Sequence, residues 1–160
     1  MTNGPMRVVI GGLALVVAAG CASSGSMDAK KMTAADAIEA RRKLMKEQGA
    51  AMKTIQDSAK AGQLGAVAAA ADKLAESSAR IPALFPQGSL DPGTSRAKPE
   101  IWQKWPEFEG NAKALGVKAG RLAATAKGGD APATNAAIAD LGRTTCGACH
   151  NAFRGPEIKK

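Results

Sequence analysis

The sequence has no tyrosine and a single histidine, and three phenylalanines and two tryptophans are its only aromatic residues. With aromatics at 3% and alanine as its commonest apolar residue, a helical core would bury little area per residue. A large apolar cofactor in the middle would supply the contacts the side chains do not. One histidine and three cysteines, the third far off at Cys21, fall short of the four ligands of a structural zinc site. No β-rich run accompanies the paired cysteines, which argues against a thioredoxin-like dithiol. Aromatics do not interleave with the basic residues, so single-stranded nucleic acid has nothing to stack on. The longest apolar run, Val8 to Ala19, is 12 residues, too short to span a bilayer.

What is present reads as an exported, basic, helical protein. Residues 1–20, with Arg7 ahead of the apolar run, have the form of a signal peptide. Ala18-Ala19-Gly20-Cys21 resembles a bacterial lipoprotein box, with Ala18 where Leu is usual, which would make Cys21 the lipidated first residue of the mature chain. Small and polar residues then form a tether over 21–32. Lys and Arg number 22 against 14 acids, a formal charge of +8 that becomes +7 without residues 1–20. Such a surface suits an acidic redox partner or anionic lipid headgroups.

Near the C-terminus stands Cys146-Gly147-Ala148-Cys149-His150. On a helix the two cysteines and the histidine share a face, so two thiols can add to the two vinyl groups of a haem while the imidazole lies under the iron. This is the reading of C-x-x-C-H as covalent haem c attachment with His150 as axial ligand. A plain disulfide between Cys146 and Cys149 would leave His150 without a role.

The rest of the chain supplies a scaffold. The spacing predicts helix 1 from just after Thr33 to about Lys60, with an inward line Ala34, Ile38, Arg41, Met45, Gln48, Met52, Ile55 and Ala59. Helix 2 starts near Gln63 and carries Val67, Ala71, Leu74, Ser78, Ile81 and Phe85, fraying at Pro82. Residues 86–98 read as a long loop suited to a cofactor edge or a crossing of the bundle end. Helix 3 opens at Pro99, breaks or restarts at Pro106, and runs to about Lys127 with Trp105, Phe108, Ala112, Leu115, Ala119, Leu122 and Ala126 inward. Helix 4 follows Asp130 with Ile138, Leu141, Thr145, Ala148 and Ala152 inward. The expectation is all-α: an antiparallel four-helix bundle over 33–155, haem c near the C-terminal end of helix 4, and a tail at 156–160.

Three stretches, Arg41 to Gly49, Ala97 to Trp102 and Cys146 to Arg154, resemble the class II c-type cytochromes, the cytochromes c′ and c-556, over residues 34–155. The resemblance implies Arg41 against the haem edge, Met45 over the distal face of the iron, and Arg154 on the proximal side. Arg42 stands where the family commonly has Gln and is a second haem-edge candidate. On the residues alone, Arg41 could equally be a snorkelling surface residue and Arg154 a helix C-terminal cation.

Two functions of different kind follow. If Met45 binds iron, the haem is six-coordinate and low-spin and the protein carries electrons. If Met45 only packs over it, the site is five-coordinate and binds nitric oxide or another small gas. The stretch from Lys43 to Met52 looks more like c-556, making electron transfer in the periplasm the leading expectation, with a homodimer kept as an alternative to a monomer. An enzyme is not expected, because no acid/base pair can be placed near the iron. Lipidation predicts a diacylglycerol-type adduct on Cys21 by mass spectrometry and loss of membrane association in Cys21→Ser. An unmodified N-terminus beyond Cys21 would contradict it.

Overall fold

The computed structural model describes residues 32–158; the expected signal peptide, Cys21, the expected tether up to Lys31 and the last two lysines lie outside the described residues. Helix α1 spans Ala34–Lys60 and opens on a reciprocal cap. The Thr33 hydroxyl accepts from the Asp36 amide at 3.1 Å while the Asp36 carboxylate accepts from the Thr33 amide at 3.2 Å. Gly62, at φ +70°, turns the chain into α2, Leu64–Ser78, and a 3-10 turn at Pro82–Leu84 follows.

After the loop come a one-turn helix α3, Glu100–Gln103, and α4, Trp105–Lys127. The interruption falls at Lys104 and not at Pro106. Pro106 sits inside the first turn of α4, where its missing N–H would have had no partner in any case. Asp130 accepts from the Ala133 amide at 2.9 Å to cap α5, Ala131–Leu141, which continues through a π-helical turn, Gly142–Gly147, into α6, Ala148–Phe153.

Helix α1 packs on α2, α2 on α4, α4 on α5 and α5 back on α1, closing the expected four-helix bundle. Where α2 meets α4 the backbones approach closely: a Cβ on Gly116 would stand 2.6 Å from the Ser78 hydroxyl oxygen, so this position takes only glycine without rearrangement. No strand occurs among the described residues, and Ala97 and Arg154 form an isolated antiparallel bridge.

Two inward lines differ from the sequence expectation. On α1, Ala37 and Leu44 are buried while Ala34 is exposed and Met45 and Met52 are half-buried. The helix faces both α2 and α5, so its covered stripe is wider than a heptad seam. On the last helix, Ile138, Leu141 and Thr145 are buried as expected, but Ala148 is exposed, Ala152 is half-buried and Phe153 is buried. The π turn holds an extra residue and advances the inward face, so the line continues through Cys149 and Phe153. The Thr144 and Thr145 hydroxyls donate to the Asp140 and Leu141 carbonyls, giving partners to acceptors at the start of this turn.

All five aromatic side chains gather at one end of the bundle. Phe108 is the hub, with ring centroids 4.8 Å from Phe85 and 5.5 Å from both Trp105 and Phe153, and Trp102 lies 6.5 Å from Phe85. Beside them Arg41, 3% exposed, holds the long loop. Its guanidinium donates to the Ser89 hydroxyl at 2.9 Å, the Ser89 carbonyl at 2.7 Å and the Ser95 hydroxyl at 2.6 Å, and stands 4.7 Å from the Phe85 ring centroid. The other side of the loop is tied to the end of α6. Gly155 N–H donates to the Arg96 carbonyl at 2.7 Å, and the Lys98 ammonium donates to the Ala152 carbonyl at 2.9 Å. Residues 86–98 therefore strap α1 to α6. Arg41→Met should cost roughly 2–4 kcal/mol in denaturant unfolding and speed amide exchange across the loop. Unchanged exchange between Ser89 and Ser95 would contradict the strap.

Candidate haem site

The strap, the aromatic cluster and the π turn enclose one end of a cavity of about 1010 Å³. That is at the upper end of the range for ligand and cofactor pockets, roughly 300–1,000 Å³. Cys146, Cys149 and His150 line it from the last helix, with Met45, Gln48 and Met52 on α1 also in its wall. Phe85, Phe108 and Phe153 give it an aromatic floor.

The electrostatics keep Cys149 protonated and suit metal ligation by His150. Burial, and then the neighbouring Cys146, pushes the Cys149 thiol up to about 11, so it is held as S–H at neutral pH. Burial first, and then the positive charges of Arg154 and Arg96, lower the pKa of His150 from its ordinary value. Its imidazole is thereby favoured in the neutral form that donates a lone pair to a metal. The two cysteines are unpaired with each other.

Nowhere among the described residues do three His, Cys, Asp or Glu side chains come together in a way that could hold a metal ion. An ion bound by protein donors alone has no site there. A macrocycle that brings four nitrogen donors of its own needs only one or two from the protein, and His150 and Met45 are of the right kind. Two thiols, one neutral imidazole and a large apolar chamber thus fit a haem attached through thioethers.

All seven residues singled out from the sequence line this cavity: Arg41, Arg42, Met45, Cys146, Cys149, His150 and Arg154. Arg41 reaches it at the strap, with its guanidinium occupied by Ser89 and Ser95, whereas Arg42 and Arg154 are exposed at the mouth. Sequence reasoning missed Arg96. It sits in a loop without periodicity, and the charge it brings near His150 depends on the Gly155 contact that folds the loop back. Phe153 was missed as an inward residue because the π turn cannot be read from spacing.

A four-helix bundle whose last helix turns Cys-x-x-Cys-His into a haem-sized chamber defines a c-type cytochrome of the bundle kind. The chain belongs to the cytochrome c′ family, whose model matches residues 36–154. It is 38% identical over 121 residues to cytochrome c′ of Pararhodospirillum photometricum, covering 73% of this chain and 94% of the relative. With cytochrome c-556 of Agrobacterium tumefaciens it shares 34% over 120 residues, 73% of this chain and 95% of that one. Cytochrome c′ from Thermochromatium tepidum superposes with a TM-score of 0.71 at 30% identity, over 79% of this chain and 99% of that one. A nitric oxide complex of a cytochrome c prime variant from Alcaligenes xylosoxidans gives 0.69 at 26% identity, over 78% and 98%.

The cofactor is one covalently attached haem c, and Cys146 and Cys149 match its attachment motif. Members of the family are periplasmic in bacteria, and no helix of the described residues is long and apolar enough to cross a membrane. Haem should stay with the purified polypeptide through acid and organic extraction, and Cys146→Ala with Cys149→Ala should release it. Complete extraction from the wild type would contradict covalent attachment.

Proposed function

We propose that the protein is an exported electron-transfer cytochrome whose single haem c takes His150 and Met45 as its axial ligands. The observation that carries this reading is the place of the two methionines of α1 in the cavity wall. Met52 is packed against the start of the π turn, its methyl carbon 3.7 Å from where a Cβ on Gly142 would lie. Met45, half-buried one heptad earlier, lines the same chamber as His150. When bound, haem supplies an iron that cycles between ferric and ferrous by one electron.

The chain's own residues do the rest. Cys146 and Cys149 hold the group, neutral His150 gives one strong-field donor and the Met45 thioether gives the second. Ligands held on two helices of one bundle would move little between oxidation states, which would keep the reorganisation of electron transfer small. The aromatic floor excludes water, and Arg42 at the mouth, Arg154 on the His150 side and Arg41 at the strap put positive charge around the haem edge. Met45, Gln48 and Met52 line the chamber from α1, beside Lys46 and Lys53.

In this reading residues 1–20 are a lipoprotein-type signal and Cys21 anchors the protein to a bacterial membrane. Residues 21–32 are the tether, 33–155 the working domain in the periplasm and 156–160 a tail.

A second reading is favoured by the kinship with cytochromes c′, one of which was solved with nitric oxide and another described by its ligand-controlled dimer dissociation. There Met45 packs over a five-coordinate iron, a small gas takes the sixth position, and two bundles pair. Met45 separates the two. Ferric wild type should be low-spin by EPR and slow to bind carbon monoxide once reduced, and Met45→Ala should turn high-spin and bind it fast. Met52→Ala, at a half-buried site, should cost about 1–2 kcal/mol and leave the spin state alone. A wild type already high-spin and unmoved by Met45→Ala would make gas binding the function.

A further inference from the structure

The positive charge of this domain is not spread evenly. Between residues 32 and 158 there are seventeen Lys and Arg and thirteen Asp and Glu. Six of the cations line the haem cavity, namely Arg41, Arg42, Lys46, Lys53, Arg96 and Arg154, against a single acid, Glu157. Eleven basic and twelve acidic side chains remain elsewhere, so the rest of the domain is close to neutral. Its outer faces are also internally compensated: Lys127 pairs with Asp72 at 2.8 Å, Lys118 with Asp140 at 2.7 Å and Lys113 with Glu109 at 3.7 Å.

The mouth is much less compensated. Arg42, Lys46 and Arg154 are exposed and have no carboxylate within ion-pair distance among the described residues. Lys53 meets Asp57 at 2.5 Å and Arg96 meets Glu157 at 3.7 Å. The two carboxylates that a haem carries would neutralise part of this excess and leave it positive. Like charges gathered on one rim repel one another and weaken the fold slightly. The arrangement therefore does something other than stabilise.

We propose that the cavity mouth is the docking surface for an acidic electron-transfer protein, which exchanges electrons through the haem edge there. This rests on the electron-transfer reading and adds the place and the charge of the partner. The exposed cations Arg42, Lys46, Lys53 and Arg154 line a concave opening with the apolar Ile158 at its margin, 38% exposed, a shape that receives a convex carboxylate-bearing surface. A flat headgroup plane would touch fewer of them and would bring no second redox centre to the haem. Long-range attraction at such a rim acts chiefly on the rate of encounter and fades as salt screens it.

The test uses holoprotein and an acidic flavodoxin in its hydroquinone form as the probe. One electron passes: the flavin hydroquinone anion becomes the neutral semiquinone and ferric iron becomes ferrous, with no atom transferred. The second-order rate should fall steeply between low and high ionic strength. At low salt, Lys46→Glu with Lys53→Gln should slow it about fivefold, while Lys73→Glu on α2 changes it by less than about twofold. Cationic tris(phenanthroline)cobalt(III) should oxidise the ferrous rim variant faster than ferrous wild type. A flavodoxin rate indifferent to salt, or lowered equally by Lys73→Glu, would overturn the docking surface while leaving electron transfer standing. Loss of binding to phosphatidylglycerol vesicles in the rim variant, with the flavodoxin rate unchanged, would also overturn it and assign the rim to a membrane. An iron that neither reagent cycles would instead remove the electron-transfer reading beneath it.

Discussion

The bundle is built around a space that its own side chains do not fill. Four helices rich in alanine pack closely where α2 meets α4 at Ser78 and Gly116. Beside that contact Leu74, Ile81, Ala112 and Leu115 line a chamber of about 1010 Å³, with the three phenylalanines in its wall and the two tryptophans packed against them. A covalently held macrocycle is the missing core. Attachment through Cys146 and Cys149 makes that core part of the chain, so the apolar area it buries stabilises the fold as a side chain would.

The strap follows from the same constraint. A chamber open at the bundle end needs a wall that helices do not provide, and residues 86–98 supply it by spanning from Arg41 to the end of α6. Arg41 is buried among neutral oxygens with no carboxylate beside it, and burial lowers its pKa while a guanidinium still stays charged. A buried cation without a counter-ion is costly unless something negative lies near, and a haem brings two carboxylates. The single group that fills the core thus also suits the charge on its wall.

Much of this was legible in the sequence, and the parts that were not have physical reasons. Cys146, Cys149 and His150 carry their chemistry in their spacing, and Thr33, Gly62 and Asp130 mark helix ends that the caps realise. The line of helix 2 through Phe85 is buried throughout because that segment lies in the middle of the packing. The spacing rule failed where the backbone left the α-helix. After the π turn, Ala148 faces solvent and Phe153 the core, and no periodicity computed at 3.6 residues per turn shows it. It failed again on α1, where Leu44 meets neighbouring helices and Met45 meets the chamber, a distinction made by what lies opposite each residue. Arg41 stands on the inward line of helix 1, yet its partners Ser89 and Ser95 lie in a loop whose course only the fold defines.

In the proposed carrier, Met45, held on α1 in the wall of the His150 chamber, completes the coordination of the iron. X-ray absorption at the iron edge of the ferric holoprotein reads this directly, since the two haem-linking sulfurs are bonded to carbon and only an axial thioether places sulfur in the iron's own shell. One sulfur is expected in that shell, lost in Met45→Ala and kept in Met52→Ala. A shell of nitrogen alone, five-coordinate in the wild type, would contradict it.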